Sequence, residues 1–219
     1  VKFAKTVFAY MQRDLLIEWK DKSILVSSIV YLLAVVFICV QAFAFVEPDA
    51  WNALFWIVTF FTVLSFTYRS FDHEIGSRFA YHYHLAKPQV IITAKLFLNG
   101  MFAVLLTFLG YIAFSLFLGN ELVKPWLFLG VSLLGGLGIG FTFTLTSALS
   151  ARAGGNLVLA SILSLPLILP LLTILVGLTE FCFTAQPTVS KLPQFLGLLI
   201  LNIIILVLSS LLFPYLWRD

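Results

Sequence analysis

Six stretches of this chain, roughly residues 23 to 46, 51 to 68, 90 to 118, 125 to 150, 156 to 178 and 193 to 217, are apolar over about the length that carries a helix across a bilayer. A hydrocarbon core about 30 Å thick takes about 20 such residues. One water-soluble core could not hide that much apolar surface. Of the 219 residues 61% are hydrophobic and 11% charged, with a mean hydropathy of +1.07, against about 25% charge in soluble domains. The fold expected is an all-α polytopic membrane protein, residues 1 to 219 forming a single transmembrane domain.

The charges left over are sorted by loop. Eleven of the thirteen Lys and Arg residues fall on one side of a six-span arrangement. Five precede the first span (Lys2, Lys5, Arg13, Lys20 and Lys22), four surround the second loop (Arg69, Arg78, Lys87 and Lys95), and Arg152 and Arg218 complete the set. Lys124 and Lys191 lie on the other side, with the acids Glu47, Asp49, Glu121 and Glu180. The positive-inside rule then puts both termini and the 69 to 89 loop in the cytoplasm of a multi-pass membrane protein. Charges sorted in this way form no nucleic-acid-binding stripe, so no nucleic-acid partner is expected.

Residues 1 to 22 are amphipathic. Lys2, Lys5, Arg13, Asp14, Glu18, Lys20, Asp21 and Lys22 interrupt any apolar signal-peptide core, so the first span is expected to be retained. Phe3, Val7, Tyr10 and Met11 recur at helical spacing and predict an interfacial helix along the inner leaflet. It serves either as a membrane anchor or, in addition, as a contact for a cytoplasmic subunit.

Within the spans, small and helix-breaking residues carry the pattern. Gly130, Gly135, Gly136, Gly138 and Gly140 crowd the fourth, with Ser132 and Ser147 nearby. Gly136 and Gly140 share one helix face and predict a close packing seam, against another span or a second copy of the chain. Pro166 and Pro170 weaken the fifth span by removing backbone donors, and Ser161, Ser164 and Thr173 are candidates to re-satisfy the freed carbonyls. Such a break is either a static kink or a soft, moving element. Trp19, Trp51, Trp56, Trp126 and Trp217 lie near span ends and read as headgroup-level anchors. Cys39 and Cys182 fall at different depths, which argues against a disulfide, and no Cys/His spacing predicts a metal site.

Several chemistries find no residues to carry them. Apart from Lys95 near the start of the third span, the interiors offer Ser, Thr, Gln41, Asn99 and Asn202, whereas ion-coupled transporters and proton relays need intramembrane ionisable groups. The sequence has no H-E-x-x-H, no G-x-S-x-G and no G-x-x-x-x-G-K-[ST], so neither protease, hydrolase nor ATPase motif is present. The chain is expected to be no enzyme, and any motor to be another polypeptide.

The second loop is the most specific stretch. It runs Tyr68, Arg69, Ser70, Phe71, Asp72, His73, Glu74, Ile75, Gly76, Ser77, Arg78, Phe79, Ala80, Tyr81, His82, Tyr83, His84, Leu85, Ala86, Lys87, Pro88. Ser77 is placed to cap a short helix reaching about Leu85, closed by Pro88. The order of Glu74, Gly76, Ser77, Pro88, Ala94 and Lys95 resembles the loop after the second helix in ABC-2 type permeases. In that superfamily the segment is a coupling helix seated in a nucleotide-binding subunit. The resemblance implies an ATPase-coupling role for Asp72, Glu74, Gly76, Ser77, Arg78, Phe79, Tyr81 and Pro88.

A second block narrows the family. Arg152, Ala153, Gly154, Gly155, Leu157 and Val158, then Leu165, Pro166, Leu167, Ile168, Leu169, Pro170 and Leu171, resemble CcmB, the haem exporter B subunit of cytochrome c maturation. The opening run Arg13, Asp14, Leu15, Leu16, Ile17, Glu18, Trp19, Lys20 is similar to the same family's first helix, and the resemblance spans nearly the whole chain. It implies an ATP-binding CcmA-like partner holding ATP and Mg, a two-plus-two assembly, and CcmC-like and CcmD-like membrane subunits. It also implies a CcmE-like haem chaperone whose haem-loaded form is released by ATP-driven work. Gly136, Gly140, Gly154, Gly155, Pro166 and Pro170 would then be the packing and conformational positions. No W-x-W-D haem motif occurs, so a mechanical role is expected, with no cofactor bound by this chain and haem held elsewhere in the complex. His82 and His84 would lie on different helix faces, poor geometry for a shared ligand such as haem; interface packing or plain exposure accounts for them better, and His73 is given no role. The alternatives are an ABC-2 permease for a lipid or other hydrophobic compound, and a non-ABC scaffold for haem protein assembly.

Overall fold

The computed structural model describes residues 2–20, 22–43, 45–69, 88–119, 121–152, 157–185 and 187–216. The described residues form seven α-helices: α1 (Lys2–Lys20), α2 (Ser23–Ala42), α3 (Pro48–Arg69), α4 (Pro88–Phe117), α5 (Pro125–Arg152), α6 (Leu157–Glu180) and α7 (Leu192–Leu216). Two 3-10 turns, Phe181–Phe183 and Thr188–Lys191, join α6 to α7. Helices α2 to α7 are six helices long and apolar enough to cross a membrane, and the chain is a multi-pass helical membrane protein.

Proline sets three of the span starts. Pro48, Pro88 and Pro125 are the first residues of α3, α4 and α5, where the missing N–H would have had no intrahelical acceptor and the fixed φ already suits a helix. The first two boundaries therefore differ from the hydropathy reading. α2 ends at Ala42, because Phe43 turns to extended backbone (φ −125°, ψ 119°). Pro48, Asp49 and Ala50, which lie between the first two apolar stretches, are the first turn of α3. At the far end of α4, Gly119 takes φ +81°, a left-handed conformation open to glycine. The chain can then reverse, and the Gly119 carbonyl accepts a bond from Trp51 Nε1 at 3.1 Å.

α5 is the hub. In its most apolar window 67% of residues are buried, against 28%, 28% and 22% for α2, α6 and α7, which places those three at the periphery. It packs on α3, α4, α6 and α7, and glycines let all four approach. A Cβ built at Gly140 would meet Ala103 Cβ of α4 at 2.7 Å and the Asn99 carbonyl at 3.4 Å. One at Gly136 would strike Thr107 of α4. Gly135 admits Trp56 of α3 and Leu175 of α6, and Gly138 admits Leu171 of α6 and Asn202 of α7. The Gly136/Gly140 seam thus belongs to the third span of the same chain.

The outer surfaces of the peripheral helices carry Val30, Leu33, Phe37 and Ile38 on α2, Ile162, Leu165 and Leu169 on α6, and Leu196, Ile200, Ile203 and Leu211 on α7, all exposed. In water these would form patches far beyond what a soluble monomer tolerates. In lipid they are the required surface. α1 lies outside the spans, with Val7 against Val90 and Ala94 of α4 and with Tyr10 and Met11 beside it. Phe3, the fourth member of the expected stripe, is exposed.

Gly140→Ala should destabilise the bundle by about 1 to 3 kcal/mol, the usual range for an extra methyl in a filled interior. Gly130→Ala, whose Cβ meets nothing within 4 Å, should leave stability unchanged. SDS-driven unfolding in mixed micelles measures both, and equal effects would contradict the seam.

Candidate functional site

Among the described residues, the buried polar positions on the spans are Ser, Thr and Asn together with Lys95 near the start of α4. α5 holds the densest group: Ser132, Thr142, Thr144, Thr146, Ser147 and Ser150 are all buried. A hydroxyl in hydrocarbon needs a partner, and the nearest is the carbonyl one turn back. Ser132 donates to Phe128 O at 2.7 Å, Thr142 to Gly138 O at 2.8 Å and Thr144 to Gly140 O at 2.7 Å. With its proton so used, Thr144 Oγ1 still accepts from Asn99 Nδ2 at 3.2 Å, which ties α4 to α5 one turn beyond Gly140. Asn202 of α7 donates from Nδ2 to Leu198 O at 3.0 Å, reaches Leu134 O of α5 at 3.4 Å, and rests its Oδ1 on Gly138.

A second polar link joins α3 to α6. Thr179 Oγ1 accepts from Trp56 Nε1 at 2.9 Å and lies 2.7 Å from both Asn52 Oδ1 and Leu175 O. One hydroxyl proton serves those two acceptors in turn. Asn52 Nδ2 donates to Val176 O at 3.0 Å, so both ends of the Asn52 amide engage α6. Rings close around this link. Trp51 stacks on Phe55 at 5.7 Å between centroids and meets Phe114, Phe128 and Phe183 edge-on at 5.4, 5.4 and 5.8 Å. The Cys182 carbonyl accepts from the backbone N–H of Val123 at 3.1 Å and of Lys124 at 3.0 Å, and Lys124 Nζ stands 3.6 Å over the Phe181 ring. The end of the bundle opposite α1 is therefore filled by aromatic side chains and bridged by backbone bonds.

The residues singled out from sequence fall into three groups. Asp72, Glu74, Gly76, Ser77, Arg78, Phe79 and Tyr81 lie outside the described residues, as do His73, His82, His84, Gly154 and Gly155. Pro88 opens α4. Gly136 and Gly140 line the α4–α5 contact, while Pro166 and Pro170 sit within a continuous α6 on its exposed, lipid-facing side. The carbonyls a proline leaves without an intrahelical donor are those of Ile162 and Pro166. Ser164 donates to Ser161 O and Thr173 to Leu169 O instead, so these two of the three hydroxyls expected to compensate bond elsewhere.

Two tryptophans also change role. Trp51 and Trp56, expected at the headgroups, are 3% and 2% exposed and belong to the interior. Trp19 and Trp126 are well exposed, as anchors would be, and Trp217 lies outside the described residues. Cys39 and Cys182 are both free and buried. Asn52 and Thr179 carry cross-helix bonds that hydropathy does not reveal. The signal was an Asn one turn from the start of an aromatic-rich span, hidden because the start had been placed after Pro48.

Chemically, the described interior offers hydroxyls, amides and one lysine, a set suited to fixing helices against one another. No group of three or more His, Cys, Asp or Glu that could hold a metal occurs among the described residues. A groove of about 420 Å³ lined by Val30, Leu33, Ala34, Phe37 and Phe117 opens on the lipid side of α2 and suits hydrocarbon. Comparison with protein families, curated proteins and solved structures gives no match to this chain.

Thr179→Val should cost about 0.6 kcal/mol, the average for interhelical bonds in a membrane, and no more than about 1.7 kcal/mol. Paired with Trp56→Phe in a double-mutant cycle, the two losses should be less than additive. Strict additivity would mean that the Trp56–Thr179 bond contributes nothing.

Proposed function

We propose that the chain is the transmembrane subunit of an ABC transporter complex in cytochrome c maturation. It couples ATP hydrolysis in a separate subunit to helix movement, and so drives haem export or the release of a haem-loaded chaperone. The observation that carries this reading is the Asp72–Pro88 segment, whose acid, Gly-Ser pair, aromatic run and closing Pro resemble an ABC-2 coupling helix. The Arg152, Gly154, Gly155 block and the Pro166, Pro170 pair, which resemble CcmB, choose cytochrome c maturation over a lipid permease.

The packing supplies a route for force. The loop joins the end of α3 to the start of α4, and both helices pack directly on α5. Along the glycine seam α4 and α5 touch backbone to backbone, and a displacement of α4 carries α5 with it. α6 lacks two backbone donors, at Pro166 and Pro170, and bends more readily than its neighbours. In this mechanism a CcmA-like subunit, holding ATP and Mg, closes on the loop from the cytoplasm and pushes the pair. α6 yields, and the movement reaches CcmC-like and CcmD-like subunits and the CcmE-like chaperone. In this reading no cofactor is held by this chain, haem belongs to the complex, and two copies of this chain complete the assembly in the inner membrane.

Glu74→Ala or Gly76→Pro should abolish co-purification of the ATPase, and unchanged capture would discard the docking role. Deletion of the gene should stop maturation of c-type cytochromes. Normal maturation together with an ATPase still bound would favour the lipid-permease alternative.

A further inference from the structure

We propose that the outward face of α1 is a binding surface for anionic phospholipid, holding acyl chains under an apolar stripe and phosphates between flanking lysines. The helix has two unlike apolar sides. Val7, Tyr10 and Met11 turn toward Val90 and Ala94 of α4. Phe8, Leu15, Leu16 and Trp19 point away from the bundle, Phe8, Leu16 and Trp19 each 60% exposed or more. At 100° per residue, Phe8, Leu15 and Trp19 fall within about 40° of one another, a continuous line along the helix.

The depth of that line is fixed from two ends. Val7 contacts the first two turns of α4, and Lys20 ends α1 just before Ser23 begins α2. Both α4 and α2 are spans, so their starts lie at the boundary of the hydrocarbon. A helix fastened to both runs along that boundary, where acyl chains and headgroups meet.

Charge selects the headgroup. Lys5, Lys20 and Lys22 are exposed on α1 or directly after it, and Lys22 Nζ lies 5.0 Å from the Trp19 ring centroid. Arg13 is turned onto Asp14 at 2.7 Å, and Asp14 is buried, so that carboxylate is withdrawn from the surface. Glu18, the other described acid of α1, is half-buried, so the exposed charges among the described side chains of this helix are positive. A row of ammonium groups beside a lipid-facing stripe is complementary to phosphate-bearing anionic lipid, and each such cation attracts an anionic surface with energy above thermal.

The test places an environment-sensitive fluorophore on Leu16→Cys in the full chain, reconstituted in nanodiscs of phosphatidylcholine. Chain-brominated phosphatidylglycerol or chain-brominated phosphatidylcholine is then added at the same low fraction. The anionic lipid should quench with an apparent association about ten-fold higher, on the order expected for a few screened surface lysines. That preference should fall toward one in the Lys5→Gln, Lys20→Gln, Lys22→Gln variant and in high salt. Equal quenching by both lipids would overturn recognition of the anionic headgroup. Absence of quenching by either would show the face turned away from lipid, and self-quenching between labelled chains would assign it to a second copy; both results overturn the proposal.

Discussion

Close approach of neighbouring helices to the bare glycine backbone of α5 is the interaction on which the rest of the bundle depends. Lipid tails are as apolar as leucine, so burial supplies little force between helices in a bilayer, and dispersion at short range has to replace it. Short range requires missing side chains. Gly135, Gly136, Gly138 and Gly140 remove them on successive sides of one helix, and Trp56, Thr107, Leu171 and Asn202 from four different helices enter the spaces. The remaining span, α2, touches α3 and α4 and stays outside this contact set.

Hydrogen bonds then fix what dispersion brings together. Most hydroxyls of α5 turn back on their own helix and add no cross-helix order, but Thr144 also receives Asn99, and Thr179 receives Trp56. These two links sit in different places, one on the α4–α5 seam and one between α3 and α6 near the aromatic end. The ring cluster about Trp51 and the two bonds to the Cys182 carbonyl stiffen that end further. The opposite end has a smaller apolar group of its own, Ile92, Leu96, Phe141, Ala148, Ile205 and Phe213, shared by α4, α5 and α7.

Much of this was legible in the sequence because lipid imposes a simple rule on span length and charge. Six apolar runs appeared as six helices within a few residues, and Gly136 and Gly140, spaced to share one helix face, stand against α4. The errors have local causes. Hydropathy treats Pro48 as a turn, although a proline at the first helical position starts a span, and it does not show that Trp51 and Trp56 turn inward onto the other helices. Hydropathy also ranks residues without regard to direction, so it could not tell that Pro166 and Pro170 are exposed while Ile168 is buried and Leu171 meets Gly138 of α5. The partner of a glycine face is invisible in one chain's sequence, because the face is defined by what is absent from it. The loop that carries the functional reading was found by resemblance, and its residues lie outside the described structure.

That α5 spends its glycine face on α4 of the same chain can be tested with a cysteine pair at Asn99 and Thr144, whose side chains are in hydrogen-bond contact across the seam. In a background with Cys39 and Cys182 replaced by alanine, a lipid-soluble oxidant should form a disulfide that peptide mapping places between α4 and α5 while the chain keeps the mobility of a single copy. A band of twice that mass, with no bridge inside one chain, would show that the seam joins two copies and would contradict the hub.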